Sequence, residues 1–125
     1  MCLRVYRKSI GEPLTAADVS ELIVREIAAV GEDWLSSPEN NPHRLDFARC
    51  LIKPERVVCR NTFPSFRGGK SFQAWLVLEE NPDGDDGYCI IFDEEVGMFG
   101  LAGGTRREPA FIGWHGSFLD TVLGM

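Results

Sequence analysis

The sequence lacks the features of membrane and secreted proteins. No stretch approaches the roughly 18 to 20 uninterrupted apolar residues that a membrane-spanning helix needs. The basic residues at its start, Met1 to Lys8, are followed by no apolar segment of the kind found in secretory signals. Internal repeats are also missing from the 125 residues. We therefore expect a protein without membrane contact, located in the cytoplasm.

Cysteine is scarce and irregularly spaced. The four cysteines are Cys2, Cys50, Cys59 and Cys89. No Cys-x-x-Cys pair occurs, which argues against a zinc ribbon and a thioredoxin-like redox motif. We expect free thiols in a reducing compartment, and Cys59 and Cys89 fall in predicted strands, where cysteine is typically a buried and inert side chain. A pairing in space between a cysteine and one of the two histidines stays open.

Positive charge is in deficit. The chain has 13 Lys and Arg against 19 Asp and Glu, which gives a net charge of −6 at pH 7 and a pI of about 4.9. A nucleic-acid binder needs a basic surface to displace counterions from phosphates, so we expect no nucleic-acid partner. The same balance disfavours an anionic membrane surface and suits a basic partner protein.

What is present indicates one ordinary globular domain. Hydrophobic residues make up 44% of the chain and charged residues 26%. A chain of this size buries about two thirds of its extended surface on folding, enough for a real core. No linker divides the sequence, so we predict a single domain over residues 1–125.

Two segments carry helix signals. Thr15 and Asp18 form a capping-box pattern, and Gly31 stands where a helix of this length would end. The apolar residues between them recur at helical spacing: Val19, Leu22, Ile23, Ile27 and Val30. We predict a helix near 16–30 and, from Ser117 and Asp120, a short helix in the tail.

Up to five strand patterns lie between these helices. They cover residues 56–60, 72–78, 88–92, 98–102 and 110–114. Because short turns join them and parallel neighbours need long crossovers, we predict antiparallel pairing. The expected fold class is α+β: a single antiparallel sheet of about four to five meander strands, with an N-terminal helix and a short C-terminal helix packed on one face. Residues 43–52 fit either a helix or a strand, with a slight preference for a short helix.

Two motifs that look like ligand sites fail on inspection. Gly68-Gly69-Lys70-Ser71 ends like a phosphate-binding loop, but Pro64 replaces the leading glycine and a strand pattern follows where a helix is required. The acidic turn after Asn81 does not match a calcium loop, since Asp86 and Phe92 occupy positions that require Gly and Glu. We expect no cofactor and no metal, and we assign no catalytic residue.

The densest charge lies in the predicted meander. Eight acidic residues and no basic residue occur between positions 79 and 95. They are Glu79, Glu80, Asp83, Asp85, Asp86, Asp93, Glu94 and Glu95. We identify Asp93, Glu94 and Glu95 as candidate residues for binding a basic partner, with solvated turns that protect the sheet from aggregation as the alternative.

A second candidate surface is the corner between the last strand and the tail helix. Trp114 and His115 lie between two glycines there, and the amides after Gly116 start a helix that could hold an anion. Arg106 and Arg107 on the preceding loop would help to bind an acidic ligand group. The alternative is that the glycines only relieve a tight corner and Trp114 packs in the core.

These observations favour a small acidic, non-enzymatic binding or accessory protein of the immunity or adaptor type, acting through protein–protein contact. The alternative is a small-molecule pocket protein, possibly an enzyme with His115 as acid or base and Arg106 or Arg107 binding an anionic group. Self-association through a sheet edge is a third possibility, and the sequence leaves the oligomeric state open.

Overall fold

The computed structural model describes residues 13–61, 70–84, 87–104 and 108–125. In chain order its elements are α1 (Ala16–Val30), α2 (Glu32–Ser36), α3 (Phe47–Cys50), β1 (Leu51–Arg60), β2 (Ser71–Glu79), β3 (Tyr88–Asp93), β4 (Met98–Gly103), β5 (Ala110–Gly116) and α4 (Phe118–Leu123). The predicted α+β class is confirmed: consecutive strands pair antiparallel in one meander.

Helix α1 has the predicted bounds because its stop and start signals are local. The Thr15 hydroxyl accepts a hydrogen bond from the Asp18 amide at 3.2 Å, and the Asp18 carboxylate accepts one from the Thr15 amide at 2.8 Å. Gly31 follows the last turn with φ 82°, a conformation that favours glycine. Val19, Leu22 and Ile23 form the buried stripe of the helix.

Residues 43–52, which fitted either a helix or a strand, contain the whole of one helix and the start of a strand. Helix α3 occupies four residues of this segment, and β1 begins directly afterwards at Leu51. The Asp46 carboxylate starts α3 by accepting a hydrogen bond from the Ala48 amide at 3.1 Å. Two overlapping patterns in one stretch explain why neither periodicity dominated.

The sheet closes into a barrel, which the sequence analysis did not predict. With five alternating strands, the first and the last run in the same direction, so β1 and β5 meet as a parallel pair. Their pairing joins Arg60 and Ala110, next to a hydrogen bond of 2.7 Å from the Arg60 amide to the Pro109 carbonyl. The closure is strongly staggered because the end of β1 lies beside the start of β5.

Closure creates two apolar cores on the two faces of one sheet. On β2, Ala74 and Leu76 face the barrel interior, whereas Trp75 and Val77 face the helices. The inner core consists of Cys59, Phe72, Ala74, Leu76, Cys89, Ile91, Ala102 and Phe111. The outer core joins α1 and α4 to the outer face of β2, β3 and β4. The two predicted helices therefore do pack on one face, and the middle strands are buried on both.

Candidate functional site

Three predicted site residues lie on the turn from β3 to β4, at one end of the barrel. Asp93 ends β3 and is only 1% exposed, with its carboxylate accepting a hydrogen bond from the Glu95 amide at 2.9 Å. Gly97 completes the turn with φ 72° and donates its amide to the Asp93 carbonyl at 2.7 Å. The turn is tightly built, and Glu95 is its exposed acidic member.

The Glu94 carboxylate joins three parts of the molecule. It accepts hydrogen bonds from the Leu14 amide at 3.0 Å, from the Trp75 indole nitrogen at 3.0 Å and from Arg56 at 2.8 Å. The Arg56 guanidinium also lies 4.6 Å from the centre of the Trp75 ring, in cation–π geometry. Glu94 therefore fixes the segment before α1 to β1 and β2, in addition to any role at the surface.

An open groove of about 450 Å³ lies beside this turn, and we call it the barrel-end groove. Among the described residues, its lining consists of Arg56, Ser71, Phe72, Gln73, Asp93, Glu94 and Glu95. The structure thus brings the three predicted acidic residues to one groove. Asp93 is buried and Glu94 is paired with Arg56, so Glu95 is the exposed acidic side chain of this lining and the one suited to meet a cationic group.

Sequence reasoning missed Arg56 and Gln73 as members of this groove. Val58 on β1 pairs with Gln73, and Arg56 pairs with Trp75, so both reach the groove through the register of the first two strands. Arg56 is separated from Glu94 by 38 positions, and no local pattern joins them. A correct strand register is the only signal that could have found them.

Other members of the acidic run have basic partners from the segment before β1. The His43 ring contacts the Glu80 carboxylate, and Arg49 pairs with Asp83. The hydrogen bond to Asp83 raises the pKa of the Arg49 guanidinium. The acidic run is therefore not a uniform charged face, because several of its carboxylates are engaged within the molecule.

The residues of the second predicted site do not form a single surface. Trp114 and His115 are neighbours on β5 and point to opposite sides of it. The Trp114 ring lies 4.5 Å from Phe111 and 5.8 Å from Phe72, where Gly100 leaves room for it in the inner core. The exposed His115 lies instead against Gly124, the residue that follows α4. Arg106 and Arg107 fall outside the described residues.

The anion expected at the start of α4 belongs to the protein itself. The Glu26 carboxylate of α1 accepts hydrogen bonds from the Phe118 amide at 3.0 Å and from the Leu119 amide at 3.1 Å. The Ser117 hydroxyl accepts a third, from the Asp120 amide at 3.1 Å. The amides that the sequence suggested for a ligand thus hold α4 against α1.

The described cysteines are free and buried. Burial raises the pKa of Cys59 to about 12, with Cys89 and Asp93 acting in the same direction. Burial, followed by the charge of Glu79, raises the pKa of Cys89 to about 12. Burial also raises the pKa of Cys50. These thiols stay protonated near neutral pH and are poor nucleophiles.

Among residues 13–61, 70–84, 87–104 and 108–125, no three His, Cys, Asp or Glu side chains come together as metal ligands. Comparison of the chain with known protein families, with curated proteins and with solved structures found no match. In the described part of the chain, every helix is too short or too polar to cross a membrane.

Proposed function

We propose that the protein is a small, non-enzymatic binding or accessory protein of the immunity or adaptor type, and that its barrel-end groove takes a basic segment of a partner protein. The observation that carries the proposal is the position of the Asp93–Glu95 turn, which lines an open groove and exposes the Glu95 side chain there. A charged groove of this kind favours encounter with a partner of opposite sign.

The lining supports a long basic side chain in particular. Glu95 offers an exposed carboxylate for the charged head of such a side chain, and the exposed Ser71 and Gln73 line the same groove. Phe72 is 7% exposed and adds only a small apolar contact. Arg56 already uses this chemistry within the molecule, since it pairs with Glu94 and stacks on Trp75. A partner's arginine would pair with Glu95 as Arg56 pairs with Glu94.

We place this binding in the cytoplasm. The free thiols of Cys50, Cys59 and Cys89 support a reducing compartment, because three buried cysteines remain unpaired with one another in the fold. The net charge of −6 supports a basic protein rather than a nucleic acid as the partner.

The test is a titration with an arginine-rich peptide, followed by calorimetry and by amide shifts in NMR spectra. We expect shifts around the barrel-end groove and an affinity that falls as salt is raised. Glu95→Lys should weaken binding about tenfold, which corresponds to the loss of one charge-assisted contact.

Glu39→Lys is the matched control because Glu39 is exposed, lies outside the groove and changes the net charge equally. It should weaken binding less than about twofold. Equal losses in the two variants would mean that only net charge matters and would contradict the groove. Asp93 and Glu94 are unsuitable for charge reversal because one is buried and the other fastens Leu14 and Trp75.

A further inference from the structure

A second groove, separate from the barrel-end groove, lies between α2 and the start of α3. It has a volume of about 510 Å³, within the range that small-molecule sites occupy. Its apolar lining includes Leu35, Leu45 and Phe47. Glu32, Arg44 and Asp46 add charges of both signs to the same groove.

Arg44 adopts a backbone conformation that costs free energy. Its φ of 52° lies in the left-handed region, which residues other than glycine rarely adopt. The surrounding loop imposes that conformation. The buried Asn41 amide donates to the Leu45 carbonyl at 3.0 Å and accepts from the Leu45 amide at 2.9 Å, and His43 contacts Glu80 and the Met125 carbonyl.

Two exposed side chains of opposite charge line this groove. Within the described residues, neither the Arg44 guanidinium nor the Glu32 carboxylate makes a hydrogen bond or an ion pair, and they do not pair with each other. Asp46 supplies another carboxylate, one oxygen of which accepts from the Ala48 amide. The groove therefore offers a cation, an anion and an apolar floor at once.

We propose that this groove binds a free amino acid with a large apolar side chain. The ligand carboxylate would pair with Arg44, its ammonium with Glu32 and Asp46, and its side chain would cover Leu35 and Phe47. A ligand with only one charge would contact only one of Arg44 and Glu32.

The test titrates the protein with L-leucine and follows amide shifts by NMR. We expect a saturable response at the groove residues with a Kd on the order of 1 mM, as suits a ligand of this size. Isocaproate, which lacks the ammonium group, and isoamylamine, which lacks the carboxylate, should each bind at least about tenfold more weakly. Equal binding of either analogue, or no saturable response to leucine, would overturn the proposal.

Arg44→Gly separates binding from folding. Glycine accepts the positive φ without strain, so the variant should have a Tm at least as high as the wild type while its affinity for leucine falls at least about tenfold. Arg25→Gln, which removes an exposed arginine on α1 outside the groove, should leave the affinity unchanged. Undiminished affinity in Arg44→Gly would refute the site.

Discussion

At the scale of single residues, Glu94 belongs to a run of acidic side chains, but its carboxylate stabilises the fold by contacts within the molecule. Its carboxylate is bonded to a main-chain amide 80 positions away and to two side chains of the first two strands. Burial limits the exposure of its side chain to 22%, so the charge is only partly available to a partner. The surface role proposed for this turn therefore depends mainly on Glu95.

The first prediction concerns Glu94→Ala. The change leaves the Leu14 amide and the Trp75 indole nitrogen, both in buried residues, without their acceptor. We expect the free energy of unfolding to fall by about 2–3 kcal/mol, measured by denaturant titration with tryptophan fluorescence. Glu39→Ala on the exposed loop should cost no more than about 0.5 kcal/mol. Similar values for the two variants would show that Glu94 does not fasten the fold.

At the scale of elements, α4 is too short to be stable by itself. It has six residues, and its start is held by the Ser117 hydroxyl and by the Glu26 carboxylate of α1. Phe118, Leu119 and Val122 bury its apolar side in the outer core. Its stability thus comes from tertiary contacts at both its start and its face.

The second prediction therefore concerns Glu26→Gln. The amide keeps one acceptor oxygen but loses the charge that the start of α4 favours and the second hydrogen bond. We expect a loss of about 1–2 kcal/mol in unfolding free energy and faster amide hydrogen exchange in α4.

Glu21→Gln provides the comparison for Glu26, since Glu21 lies on the same helix and makes an exposed i,i+4 pair with Arg25. Its loss should cost about 0.5 kcal/mol or less and leave exchange in α4 unchanged. If α4 exchanged at the wild-type rate in Glu26→Gln, the carboxylate would not be what holds the helix.

At the scale of the whole molecule, closure of the barrel gives the protein two cores, and cysteines contribute to both. Cys59 and Cys89 lie in the inner core and Cys50 lies in the outer one. Burial raises the pKa of Cys59 and Cys89 from about 9 to about 12. Their ionisation is therefore coupled to the stability of the entire barrel.

The third prediction is a loss of stability in alkali. Between about pH 9 and about pH 12 the two thiols keep their protons when folded and lose them when unfolded, so the unfolded state binds fewer protons. The free energy of unfolding should then fall with rising pH, by about 2–3 kcal/mol for both thiols between about pH 8 and about pH 10. Denaturant titrations at the two pH values measure the change.

The double variant Cys59→Ala, Cys89→Ala isolates this effect from other groups that titrate in alkali. It should start from a lower stability because of the cavities, but its stability should fall less between the two pH values. An identical fall in both proteins would assign the alkaline loss to groups other than these thiols.

Only part of each candidate site could be predicted from the sequence. The sequence placed Asp93, Glu94 and Glu95 on one turn, which lines the barrel-end groove. It could not show that Asp93 is buried or that Arg56 and Gln73 complete the lining, because both come from other strands. It also could not show that Trp114 and His115 point to opposite faces of the sheet. The predicted strand ended at residue 114, whereas β5 continues to Gly116 and includes His115.

The sequence by itself determined the bounds of α1, the order of the five strands and their antiparallel pairing. These features rest on interactions over short separations, such as the Thr15–Asp18 cap at three positions and the turns between strands. Only the tertiary structure decided the closure of the barrel, the hold of Glu26 on α4 across 92 positions and the partners of the acidic run. The reason is physical: a capping residue acts on its own helix, whereas a carboxylate bonds whichever donor the packing of distant elements brings within reach.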